Sequence, residues 1–253
     1  MIESFEKTKL AGSIASGALD EVNNIIKPGI STVEIDKLCY QFINDHKAFS
    51  APLYYRGFPK SCCTSTNHVV CHGIPSEKIL NDGDIVNVDV TAVKDGWHGD
   101  TSRMFIVGEC SIKAKKLIKI TYTAMMKAIE TIKANVKIGN IGYTIQKSVE
   151  AEGFSVVRDF CGHGIGKKFH ESPNVLHYGE KNSGQELKEG MIFTVEPMIN
   201  SGKFETKTLK DGWTAVTKDK SLSAQFEHTV GVTKEGYEIF TLSKKGLNLP
   251  PNL

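Results

Sequence analysis

LNDGDIVNVD (Leu80–Asp89) and LKEGMIFTVE (Leu187–Glu196) agree at a leucine, an acid, a glycine, an isoleucine, a valine and a terminal carboxylate. Leu-x-x-Gly is a common way into a strand, so the agreement alone is compatible with chance. Two details favour a duplication. Each stretch ends on a carboxylate at the same point of a strand-like run. Each is also followed by a second acid that opens another such run, Asp100 before TSRMFIVG and Glu227 before HTVGVT. The pattern predicts two half-domains of one design with acids at matching places.

The first pair of acids can be placed. Val86, Val88 and Val90 alternate along one face of a strand, which puts Asp89 on the other. Asp95-Gly96 is a strong hairpin turn, and folding there brings Asp89 opposite Asp100. Opposed residues share a face with Cβ atoms about 4.5–5.5 Å apart. Two like charges at about 4 Å repel by about 4 kcal/mol at an effective dielectric near 20. Such a pair needs a proton on one acid or a cation between them. The echo carries Glu196 and Glu227 to the same centre, and four clustered carboxylates point to two divalent ions with shared carboxylates between them. Any one acid is ordinarily a solvated surface residue. Four that each interrupt an apolar run are not.

A second stretch, CGHGIGKKFH (Cys161–His170), holds two histidines and three glycines. It lacks both the GxGxxG spacing and the GxxxxGK[ST] of phosphate loops. As a metal loop it fits, because glycines allow the sharp turn that delivers an imidazole to the acids. His163, between two glycines, is the expected ligand. His170, after Phe169, sits further out, and His72 in VVCHGIP also ends a strand before a glycine.

Around these motifs the chain reads as ordinary α+β protein. Its 253 residues are 40% hydrophobic and 24% charged, with net charge +2 and no single-sign block, so nothing suggests nucleic-acid readout. No apolar run is long enough to span a bilayer, and MIESFEKTKL lacks a signal-peptide core. The six cysteines show no CxxC pair or regular spacing, which favours a reducing, cytoplasmic setting. Helical spacing runs from Leu10 to Ile25 and ends before Pro28-Gly29, and STVE at Ser31 is a capping box for a second helix. Further helices are predicted over 114–134, whose lysines form the wet face, and over 141–151. Strands are predicted at 69–71, 84–91, 101–107, 156–160, 191–199, 226–233 and 237–242. With no linker in sight, residues 1–253 are expected to form a single catalytic domain.

The segments CHGIP, NVDVTAVKDGWHGDTSRMF, CGHGIGKKFHESP, TVEPM and SAQFEHT resemble, in order and nearly end to end, those of type I (bacterial-type) methionine aminopeptidases. The resemblance implies the pita-bread fold, two α+β halves with internal pseudo-twofold symmetry, and removal of the initiator methionine from new polypeptides when the second residue is small. It implies two divalent ions (Co, Mn, Fe or Zn) on Asp89, Asp100, His163, Glu196 and Glu227, with Asp100 and Glu227 bridging. The resemblance further implies that a metal-activated water attacks the first peptide carbonyl, that Glu196 handles its proton, and that His72 and His170 contact the scissile peptide. The methionine pocket maps to Tyr55, Phe58, Cys63, Phe169 and Trp213, with Pro52. Two positions depart from well-known members: Pro52 stands for a cysteine and Phe58 for a tyrosine, both still compatible with an apolar thioether pocket.

Only thirty residues separate Glu196 from Glu227, which leaves no room for the helical insertion of type II enzymes, and the zinc-binding extension of some type I enzymes is expected to be absent, since nothing before the first helix resembles it. Xaa-Pro peptidases, usually enlarged by an N-terminal domain, are the enzymatic alternative. Pita-bread binding proteins that have lost their ligands are the non-enzymatic one. Four carboxylates and one imidazole without thiolate favour Mn, Fe or Co over a thiolate-type zinc site. The expected partners are the N-termini of nascent polypeptides met by a monomer, with ribosome contact left open by the sequence.

Overall fold

The computed structural model describes residues 2–253. The first half runs α1 (Ile2–Ile25), α2 (Thr32–Asp45), β1 (Phe49–Ser50), β2 (Cys63–Thr66), β3 (Val69–Cys71), β4 (Ile85–Lys94) and β5 (Trp97–Ile106). The second repeats the helix pair, α3 (Ile112–Ile129) and α4 (Gly139–Glu150), before β6 (Ser155–Val156), β7 (Gly162–Gly164), β8 (Glu171–Val175), β9 (Ile192–Val195) and β10 (Met198–Asn200). Five strands remain: β11 (Thr206–Thr208), β12 (Ala215–Thr217), β13 (Ser223–Gln225), β14 (Glu227–Val232) and β15 (Tyr237–Ile239).

Local chemistry explains the helices. α1 begins at Ile2 rather than near Leu10, because Phe5 and Thr8 prolong its buried stripe. The Glu34 carboxylate accepts the Ser31 N–H at 2.8 Å, the capping-box bond expected at the start of α2. α3 turns Leu117, Ile118, Thr121 and Met125 inward and leaves Lys113, Lys116, Lys119 and Lys127 exposed, ending at Ile129 rather than 134.

Among the described residues the main sheet has nine strands, with β1-β4-β5-β14-β9-β7-β8 as its path, β2 paired to β4 and β15 to β14. Outward from the seam between β5 and β14, the order matches on both sides: β4 and β9, then β2 and β7. Each half carries its own core. α1 and α2 pack on Val86, Val88, Val90 and Phe105. α3 and α4 pack on Phe193, Val195, Phe226 and Val230. A buried ion pair, Arg103 to Asp20 at 2.8 Å, ties β5 to α1. This is the α+β architecture of two matching halves expected of the duplicated sequence, and the pita-bread fold that the resemblance implies.

Three expectations need correction. Lys94 pairs with Trp97 across the Asp95-Gly96 turn, so Asp89 stands opposite Ser102 and Asp100 opposite Thr91. The two acids are diagonal neighbours on one face, because a two-residue turn fixes the register two positions from the one anticipated. The run 191–199 is broken into β9 and β10, which lie in different sheets with Glu196 and Pro197 between them. The run 156–160 forms a strand only at Ser155–Val156.

Candidate active site

Four strands deliver the acids to the seam. Glu227 pairs with Ser102 across it, and Ser102 in turn pairs with Asp89. His228 faces Val195, so the next positions outward are Glu227 and Glu196. Asp100 is held by three hydroxyl contacts: Thr91 Oγ1 donates to its Oδ1 at 2.7 Å, and Thr229 Oγ1 bonds both its N–H and its carbonyl. Asp100, His163 and Glu227 each present an atom within 4.8 Å of the others. His163 Nε2 lies 3.6 Å from Glu196 Oε1 and 3.9 Å from Asp100 Oδ2. Asp89 lines the same cavity as these four, so all five expected ligands face one space.

Their electrostatics is that of a site awaiting positive charge. Burial pushes Asp89 up to about 7 and Glu196 up to about 8. Asp100 and Glu227 rise well above the carboxylate range, first by burial and then by the charges of the neighbouring acids. Burial pulls His163 down to about 4, so its ring is neutral. Its Nδ1 lies 3.0 Å from the Gly164 carbonyl, which can only accept; the proton sits there and the Nε2 lone pair faces the acids. Glu227 Oε1 is buried without a hydrogen-bond partner among the described residues. A neutral imidazole lone pair, an orphaned carboxylate oxygen and four crowded acids fit divalent metal and little else.

The acids floor a cavity of about 420 Å³. Its walls carry the rest of the expected set. Phe58, only 2% exposed, meets Trp213 edge to face at 5.2 Å, and Tyr55 meets Phe169 the same way at 5.0 Å. Pro52 and Cys63 complete this apolar side. His72 faces Trp213 and Phe160 edge-on, and burial lowers its pKa. His170 Nδ1 lies 3.0 Å from the Tyr55 hydroxyl, and burial with the nearby His163 takes its pKa down to about 3.

Sequence reasoning missed several contributors. Cys71, Phe160, Met198 and Gln225 also line the cavity. Thr194 donates from Oγ1 to Glu196 Oε1 at 2.7 Å, and buried His177 accepts the Glu196 N–H at 3.2 Å. Period-two spacing could have flagged the threonines, since Thr91 and Thr194 each lie two residues from an acid on the same strand face. His177 carried no comparable signal.

A neutral imidazole and four crowded acids, three of them buried, at the seam of a pita-bread sheet define a metal-dependent hydrolase. The sequence profile of metallopeptidase family M24 matches residues 6–234. The chain is 57% identical over 250 residues to the methionine aminopeptidase of Rickettsia prowazekii (strain Madrid E), spanning 98% of this chain and 96% of that one. It is 54% identical over 244 residues to that of Escherichia coli (strain K12), spanning 96% and 92%. The crystal structure of the Rickettsia prowazekii enzyme matches with a TM-score of 0.95 over 96% of this chain and 98% of that one. The prolidase from Pyrococcus furiosus, at 23% identity and a TM-score of 0.76, covers 95% of this chain and 64% of its own, and shares the fold alone. The chain belongs to metallopeptidase family M24 and, within it, to the bacterial-type methionine aminopeptidases.

Proposed function

We propose that the whole chain, residues 1–253, acts as one catalytic unit that removes N-terminal methionine from polypeptides whose second residue is small. The observation that carries this reading is the meeting of the acids, His163 and the aromatic–sulfur wall in one cavity. Asp89, Asp100 and Glu227 would hold one divalent ion, and His163, Glu196 and the shared Asp100 and Glu227 a second. Bound there, such ions polarise the peptide carbonyl and lower the pKa of water.

The protein's own groups supply the rest. The methionine side chain lies against Phe58, Trp213, Tyr55, Phe169 and Cys63, where a polarisable thioether finds aromatic and sulfur contacts. With the Tyr55 hydroxyl donating to Nδ1, His170 carries its proton on Nε2 and donates it to the scissile carbonyl as negative charge develops there. His72, across the cavity, steadies the same peptide. Glu196 Oε1 is committed to Thr194, so its Oε2 takes the proton of the attacking water and returns it to the leaving amine. The natural substrates are the N-termini of new polypeptides, met by a monomer.

Metal-loaded enzyme should release methionine from Met-Gly, Met-Ala and Met-Ser peptides far faster than from Met-Leu or Met-Lys, and leave Ala-Pro peptides intact. Comparable kcat/KM across the methionyl set sinks the small-residue requirement. Preferential cleavage of Ala-Pro would make the chain an Xaa-Pro peptidase instead.

A further inference from the structure

Glu196 leaves its strand where the ladder stops holding it. β9 ends at Val195, and position 197 is a proline with no N–H to give. The Glu196 N–H turns instead to Nε2 of His177, a side chain 1% exposed that follows β8. That bond requires the His177 proton on Nδ1. The carboxylate is held from the other side, where Thr194, itself 0% exposed, donates to Oε1 at 2.7 Å. The same hydroxyl accepts the His163 N–H at 2.9 Å. Its other acceptor, the His163 carbonyl, is more distant at 3.4 Å, so the single hydroxyl proton goes to Glu196. One oxygen thus links the backbone that carries His163 to the carboxylate it faces.

The first half is arranged differently. Thr91 donates to Asp100, an acid shared by both metal positions in the reading above, and not to Asp89. The Thr194 and His177 contacts fall wholly on the His163–Glu196 side.

We propose that Thr194 and His177 are positioning residues for the metal position between His163 and Glu196, and that they set its affinity independently of the other position. The inference rests on reading His163 and Glu196 as ligands of a separate ion. The outer partners of metal ligands typically govern about 10–100-fold in affinity, and here two of them act on one ligand from opposite ends.

The test is a calorimetric titration of the stripped full-length protein with Mn²⁺. Wild type should show two binding steps. Thr194→Val, which keeps the shape and loses the hydroxyl, should weaken one step about 10–100-fold and leave the other within about twofold. Thr194→Ser should restore both. His177→Ala should weaken the same step, and His177→Gln, whose Oε1 can replace Nε2 as acceptor, should recover most of it. Equal weakening of both steps, or none, overturns the proposal. If the valine or alanine variant does not fold, the serine and glutamine variants still decide, since loss of a step in either contradicts the donor and acceptor roles. A single step in wild type removes the second position and the proposal with it. Release of methionine from Met-Ala-Ser by the same preparation tests the proposed function separately, so the two failures are distinct.

Discussion

His163 and His170 lie seven residues apart and face one cavity with Nδ1 committed in both, to the Gly164 carbonyl in the first and to the Tyr55 hydroxyl in the second. The first turns a bare lone pair toward the acids, so His163→Ala should lower metal affinity directly, measured by calorimetry. The second, in the proposed function, is aimed at substrate. His170→Ala should keep its metal and its KM while kcat falls about 10²–10³-fold, the usual loss for one oxyanion donor; rescue by excess metal would place His170 among the ligands instead. Asp100→Asn preserves the shape beside Thr91 and removes the charge. Metal occupancy and turnover should both collapse in a protein with unchanged circular dichroism, whereas full occupancy with near-normal turnover would contradict a shared role. The acids were legible because each interrupts an apolar run where a carboxylate has no packing reason to be. Thr194 was not, since a threonine inside a strand is commonplace. His177 reaches Glu196 only through tertiary folding.

Among elements, the crossing of α1 over β5 sets how closely helix and sheet approach. A Cβ on Gly99 would lie 2.2 Å from Gly12 N and 2.5 Å from its Cα, and a Cβ on Gly12 would lie 2.6 Å from the Phe240 carbonyl oxygen. These are backbone atoms with nowhere to move. Gly99→Ala should therefore destabilise the protein by about 1–3 kcal/mol in urea denaturation, the range for overpacked cores. Because residue 99 precedes Asp100, activity should fall before unfolding begins. An alanine variant as stable and active as wild type would show that α1 can shift freely. The long elements were readable from periodicity, and the echo identified the matching strand pairs, β4 with β5 and β9 with β14. Short polar strands such as CTST in β2 and TKT in β11 carry no such pattern. ESPNV in β8 contains a proline and is tolerated because β8 is the end of the sheet path. The Glu196-Pro197 break was hidden inside a continuous apolar run.

For the molecule as a whole, the acids at the seam tie stability to pH. Asp89 and Glu196 titrate at about 7 and about 8 in the folded chain, against about 4 for exposed carboxylates. The folded state therefore binds more protons than the unfolded one between these values. Their contribution is fully present below about pH 4 and is lost as pH rises through 7 to 8. Chelator-treated protein should melt at a lower temperature at pH 8 than at pH 5.5, and Mn²⁺ should reverse the trend by binding the deprotonated ligands. A melting temperature that climbs with pH in chelator would refute this. The antiparallel pairing of β5 with β14 has a further consequence. Two identical chains could meet edge to edge in that way, but they would place the same residue on both sides of the axis. One continuous chain is free of that constraint. It puts an imidazole on β7 beside Glu196's strand and only CTST on β2 beside Asp89's. The two sides of a symmetric frame can then hold unlike surroundings, and a peptide bond is itself an unsymmetrical thing to grip.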